Sequence, residues 1–195
     1  MSPSPKDARC LPKDVAAYAL QWKPPAPRQH VCTDEQIAAI TPCATGHSGA
    51  PICSTRFAAA GTAEDLACER CVLTHDSDAT WGATVHLADR RIFLNSAGCI
   101  ALLEPSREAC ARDEQATHEC VAVACYAGCF TNPKISESDK NACAEAAALG
   151  GCKPYAERAT LCRVSLGQSH SAAEACLVEF DDAGFQTIAR LFCGK

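Results

Sequence analysis

Sixteen cysteines lie along 195 residues, from Cys10 to Cys193. No other feature limits the fold so strongly. Cysteine at about 8% of a chain approaches the density of a disulfide scaffold. The count is even, so complete pairing is available. Disulfides persist where the surroundings are oxidising, which points to a secreted, periplasmic or cell-envelope protein. The expectation is that Cys10, Cys32, Cys43, Cys53, Cys68, Cys71, Cys99, Cys110, Cys120, Cys125, Cys129, Cys143, Cys152, Cys162, Cys176 and Cys193 all serve as staples.

The rest of the composition agrees with that design. Thirty-seven residues are alanine, against two Trp, three Tyr and six Phe. Alanine favours helix. It also buries little area, so an alanine-rich core gains little from the hydrophobic effect. Cross-links worth about 2–4 kcal/mol each would offset the shortfall. The net charge is −5, and basic residues are scattered singly apart from Arg90-Arg91. That excludes nucleic acid as an expected partner. No run of 18 apolar residues occurs, so no transmembrane helix is expected. The opening MSPSPKDARC has no apolar stretch of a signal peptide. Ser2–Pro5 reads as the stump of a linker after a removed signal, with a lipid anchor on the native precursor as one form of it.

Local signals divide the chain. Residues 1–31 read as an irregular N-terminal segment with one short helix around Asp14–Leu20. Its Lys23-Pro24-Pro25-Ala26-Pro27 stretch is extended. Residues 32–195 read as a single disulfide-rich domain. Thr33-Asp34-Glu35-Gln36 is a capping box, opening a helix to about Ile40 that Pro42 closes. A short helix is expected over Cys53–Ala60, and another from Thr62 to Cys71. Residues 81–95 read as one small β hairpin turning at Ala88-Asp89-Arg90, and Ser96–Cys99 as a turn. Helices are expected over about 106–129, from Ser136 to Gly150-Gly151, over 154–164, from Ser171 to Phe180, and over 183–192. The fold class is therefore mainly α: a disulfide-stapled helical domain with one small hairpin.

The spacing of thiols on the long helix bears on their use. At about 100° per residue, and with Cys110 at zero, Cys120 falls near −80°, Cys125 near +60° and Cys129 near +100°. Thiols for one metal would converge on a stripe, whereas these diverge toward several neighbours. The long helix reads as a hub. Sixteen cysteines allow on the order of two million pairings. One guess is available: the next helix returns after Asn132-Pro133, so Cys129 would bridge to Cys143.

Other chemistries have weaker support. His118, Cys125 and Cys129 share a stripe and offer three ligands for Zn or Cu, although structural zinc favours tighter cysteine pairs. Copper-storage bundles repeat Cys-x-x-x-Cys many times, and this chain has one such pair. Cys68-Glu69-Arg70-Cys71 is the only Cys-x-x-Cys, but it ends a helix instead of opening one, where a redox pair would sit. His75 and Asp76 fall in a polar loop that would suit a cation or a small hydrolase, although its residues are those of an ordinary turn and no second catalytic group can be placed near it. Trp81 follows it, as a ligand contact or as a core plug. No P-loop, dinucleotide fingerprint or nucleophile elbow occurs, and no cofactor is expected.

Five stretches occur in a familiar order: Cys32-Thr33-Asp34-Glu35-Gln36, Ala67–Val72, Trp81-Gly82, Leu94–Ala101 and Phe192-Cys193-Gly194. They resemble uncharacterised cysteine-rich exported proteins and predicted lipoproteins of the myxobacterial type. The resemblance spans about residues 32–194. It implies export and a bacterial envelope, and carries no catalytic residue with it. The function expected is non-catalytic, a binding or structural module whose partner is a protein or small ligand. Thiol-redox or metal-binding use of free cysteines is the alternative, and a small secreted hydrolase the next.

Overall fold

The computed structural model describes residues 10–45, 61–87, 92–132 and 134–195. The expected helix over 53–60 and the turn of the hairpin lie outside them. The chain is mainly helical with one small sheet. It forms two compact units: one of Met1–Trp22 with Arg112–Cys162, the other of Lys23–Ala111 with Arg163–Lys195.

The second unit holds most of the large apolar side chains. Helix α1 (Asp34–Ala44) starts at the capping box of Thr33 and Gln36 and runs on through Pro42. Proline removes one N–H from the ladder. Here Ile37, Ile40 and Thr41 are buried, and their packing carries the helix past that loss. Helix α2 (Ala63–Val72) begins at a second capping box, Thr62 with Asp65. Strands β1 (Leu73–His75), β2 (Thr84–His86) and β3 (Ile92–Leu94) follow. The expected hairpin is β2–β3, paired antiparallel. Strand β1 adds to it in parallel, a pairing the sequence did not reveal.

Helix α3 (Ser96–Leu103) stands where a turn was expected. The reason is Asn95, whose buried side chain caps it by accepting from the Gly98 N–H at 2.8 Å. A 3-10 turn (Pro105–Arg107) leads into helix α4 (Glu108–Cys125). Ser171 opens only a second 3-10 turn (Ala172–Cys176), not a helix to Phe180. Helix α7 (Asp182–Cys193) is amphipathic and sets Phe185, Ile188, Ala189 and Phe192 into the core. The chain's last residues pair with 29–32, where Cys32 N–H donates to Cys193 O at 2.8 Å.

The first unit is built from α4 after Ala111, a π-helical turn (Tyr126–Phe130), α5 (Glu137–Leu149) and α6 (Lys153–Gln168) as far as Cys162. Residues 10–22 pack on it without forming the expected helix. Asp14 instead accepts from the Ala16 N–H at 2.9 Å, an Asx-type turn. The main buried cluster here is Cys10, Val15, Cys120, Ala124, Cys125, Cys129, Cys143, Ala147 and Cys152. Six of these nine are cysteines, so sulfur does the packing that large aliphatics do in the other unit.

Candidate functional site

The disulfides follow from this layout. In the first unit α4 and its π turn are a hub: Cys120 bonds Cys152, Cys125 bonds Cys143 and Cys129 bonds Cys10. In the second, Cys32 bonds Cys68, Cys71 bonds Cys193 and Cys99 bonds Cys176. Cys43, Cys110 and Cys162 are also disulfide-bonded. No described cysteine is a free thiol. Cys53 lies outside the described residues.

These bonds bear on each thiol chemistry weighed from sequence. Cys68 and Cys71 bond different partners, so Cys-x-x-Cys is not a dithiol pair. Cys125 and Cys129 are buried and each carries a sulfur already bonded, whereas His118 is exposed. Metal ligation requires thiolate. The guessed Cys129–Cys143 bond is corrected: Cys143 bonds Cys125, one helical turn earlier. The miss is small in space. The Sγ atoms of Cys10, Cys129 and Cys143 all lie within 4.8 Å of one another, and all three residues are buried. Two disulfides therefore lie side by side at the junction of α4, α5 and the segment after Cys10. Sequence reasoning missed this group, because the approach of Cys10 to the hub is a contact across 119 residues.

The polar loop is a tied turn. His75 N–H donates to Asp78 Oδ2 at 2.8 Å, and Asp78 N–H returns to His75 O at 3.0 Å. Asp76 N–H donates to His86 O at 3.0 Å, and Lys23 Nζ to Asp78 O at 2.9 Å. His75 is the register partner of His86 on β2, with ring centroids 5.8 Å apart. Burial holds the His86 imidazole below its ordinary pKa, and the His75 charge adds to this. His86 Nε2 is buried without a hydrogen-bond partner. So His75 and Asp76 are brought together with His86 and Asp78, and Asp78 spends a carboxylate oxygen on the backbone. Pairing His86 to His75 needed a strand register that local sequence does not encode.

Trp81 is a core plug. It is 2% exposed and packs edge-on against Phe93 at 5.5 Å. Its backbone clasps the proline-rich stretch: Trp81 N–H donates to Pro24 O at 3.0 Å, and Ala26 N–H to Trp81 O at 2.8 Å. The exposed ligand contact considered for it is replaced by this packing.

No family model, curated protein or solved structure matches the chain.

Proposed function

We propose that this chain is an exported, non-catalytic module of the bacterial envelope or extracellular space, binding a protein or small ligand or bracing other components. The observation that carries the reading is the pattern of disulfides. Six of them close loops of 18 to 122 residues, and they occur in both units. A fold whose main buried cluster in one unit has six cysteines among nine residues has its working form in an oxidising compartment. Among the described residues no helix is long and apolar enough to cross a membrane. The likeness to cysteine-rich exported proteins and lipoproteins of the myxobacterial type supports the same reading.

Its test is production in two compartments. Chain directed to an oxidising periplasm should be folded, monodisperse and protease-resistant. Chain held in a reducing cytosol should be unfolded or degraded. Equal folding and stability in the fully reduced form would overturn the reading. Thiol-redox use is the second reading, favoured by the closeness of Cys10, Cys129 and Cys143.

A further inference from the structure

We propose that Cys10, Cys129, Cys143 and Cys125 form a thiol–disulfide exchange site, whose substrate is an external dithiol. Its chemistry is a relay: opening Cys10–Cys129 moves the Cys143 bond from Cys125 to Cys129. The inference deepens the thiol-redox reading and rests on it, so its failure leaves the non-catalytic envelope-module reading standing.

Three observations carry it. First, Cys10, Cys129 and Cys143 place their sulfurs within 4.8 Å of one another, although only Cys10 and Cys129 are bonded among them. The sulfur of one disulfide is thus already beside a sulfur of the next. Second, Cys125 and Cys129 are four residues apart at the end of α4, so Cys143 faces two alternative partners on successive turns. Third, Cys129 sits in the π-helical turn Tyr126–Phe130. A π turn departs from the regular α ladder and is found often at functional sites.

Exposure sets the direction. All four are buried, Cys10 the least so at 9% against 1% for Cys129, Cys143 and Cys125, so residues 10–22, which form neither helix nor strand, have to loosen before a thiolate reaches the Cys10 sulfur. A thiolate of the external dithiol attacks Cys10 Sγ, the Cys10–Cys129 bond breaks, and Cys129 leaves as thiolate. The second thiol of that dithiol then closes on the mixed disulfide and releases Cys10 as a thiol. The dithiol has been oxidised by two electrons, and the Cys10–Cys129 pair has been reduced by two. Next the Cys129 thiolate attacks Cys143 Sγ. A Cys129–Cys143 bond forms, the Cys143–Cys125 bond breaks, and Cys125 leaves as thiolate and takes a proton from solvent. This second step involves no net oxidation. Its products are free thiols at Cys10 and Cys125, and residues 10–22 lose their covalent tie to the hub.

The experiment is partial reduction of the whole wild-type chain with dithiothreitol. Samples are quenched by acid, thiols blocked with N-ethylmaleimide, and the species carrying one reduced disulfide mapped by peptide mass. The relay predicts label on Cys10 and Cys125, and a Cys129–Cys143 linked peptide. The rate of its appearance should rise about tenfold per pH unit below the thiol pKa, as thiolate attack requires. Label on Cys10 and Cys129 only, with Cys125–Cys143 intact at every time, would overturn the proposal. So would label spread over cysteines outside these four, which is general scrambling. The Cys10→Ser variant gives a second reading without reductant. Its unpaired thiol should be shared between Cys129 and Cys125, and confinement to Cys129 would contradict the relay.

Discussion

Asn95 shows how much one side chain can organise. It is buried, donates through Nδ2 to Gly82 O at 2.9 Å, and accepts at Oδ1 from Gly98 N–H at 2.8 Å. It thereby joins the hairpin to the first turn of α3. A Cβ at Gly98 would lie 2.3 Å from Asn95 Nδ2, so any larger residue there would push the Asn95 side chain out of its cap. Asn95→Ala removes the cap and leaves buried backbone groups unpaired, at a cost of about 2–3 kcal/mol in urea denaturation. A cost under about 0.5 kcal/mol would contradict this role. His86 supplies a pH dependence. Its folded pKa lies below the ordinary 6.5. The unfolded chain therefore binds the extra proton first, and the contribution of neutral His86 is present above about pH 6.5 and lost as pH falls below it. Urea midpoints should drop between pH 7 and 5, and His86→Gln should flatten that drop. Parallel curves for wild type and variant over this window would count against it. Capping residues such as Thr33 and Thr62 were legible in the sequence, because a cap is a matter of four consecutive residues. The His75–His86 pair was not, because it depends on a parallel register between β1 and β2.

At the scale of elements, α7 bears most on the core of its unit. Phe185, Ile188 and Phe192 are fully buried along one face. Phe192→Ala should cost about 3–5 kcal/mol, read as a lower denaturant midpoint at unchanged slope. Thr33→Ala, which only opens a capping box, should cost about 1 kcal/mol by the same measurement. If the two variants cost the same, α7 does not hold the core assigned to it. Long helices were readable to within a few residues, since their periodicity and caps agree. Among the short ones Ala63–Val72 was readable from its capping box, and two others were not. Residues 96–103 look like a turn because Ser-Ala-Gly-Cys carries turn chemistry, yet burial of Ile100 and Ala101 beside a capped start makes helix. Residues 172–176 carry a helix opening, yet the Cys99–Cys176 bond fixes the segment where it stops after one 3-10 turn.

For the molecule as a whole, covalent links complement a core that is thin in one of the two units. Closing loops of 18 to 122 residues is worth about 3–5 kcal/mol per disulfide on chain-entropy grounds. The need for staples was legible, because alanine abundance and cysteine abundance point the same way. Their pairing was not. The inferred Cys129–Cys143 bond missed by one turn, since helix-face arithmetic locates a thiol to within an angle and leaves its partner unspecified. Cys10 reads as a pin for the N-terminal segment, but its partner depends on residues 10–22 lying against α4, where Lys13 N–H donates to Ala124 O at 2.8 Å. If all sixteen cysteines are staples, the intact mass of the chain shows it. The chain is unfolded in denaturant and alkylated with and without prior reduction. Full pairing gives no adduct without reduction and sixteen after it. Two or more adducts on unreduced protein would show that the cysteines are not all staples, and the labelled residues would identify thiols kept free.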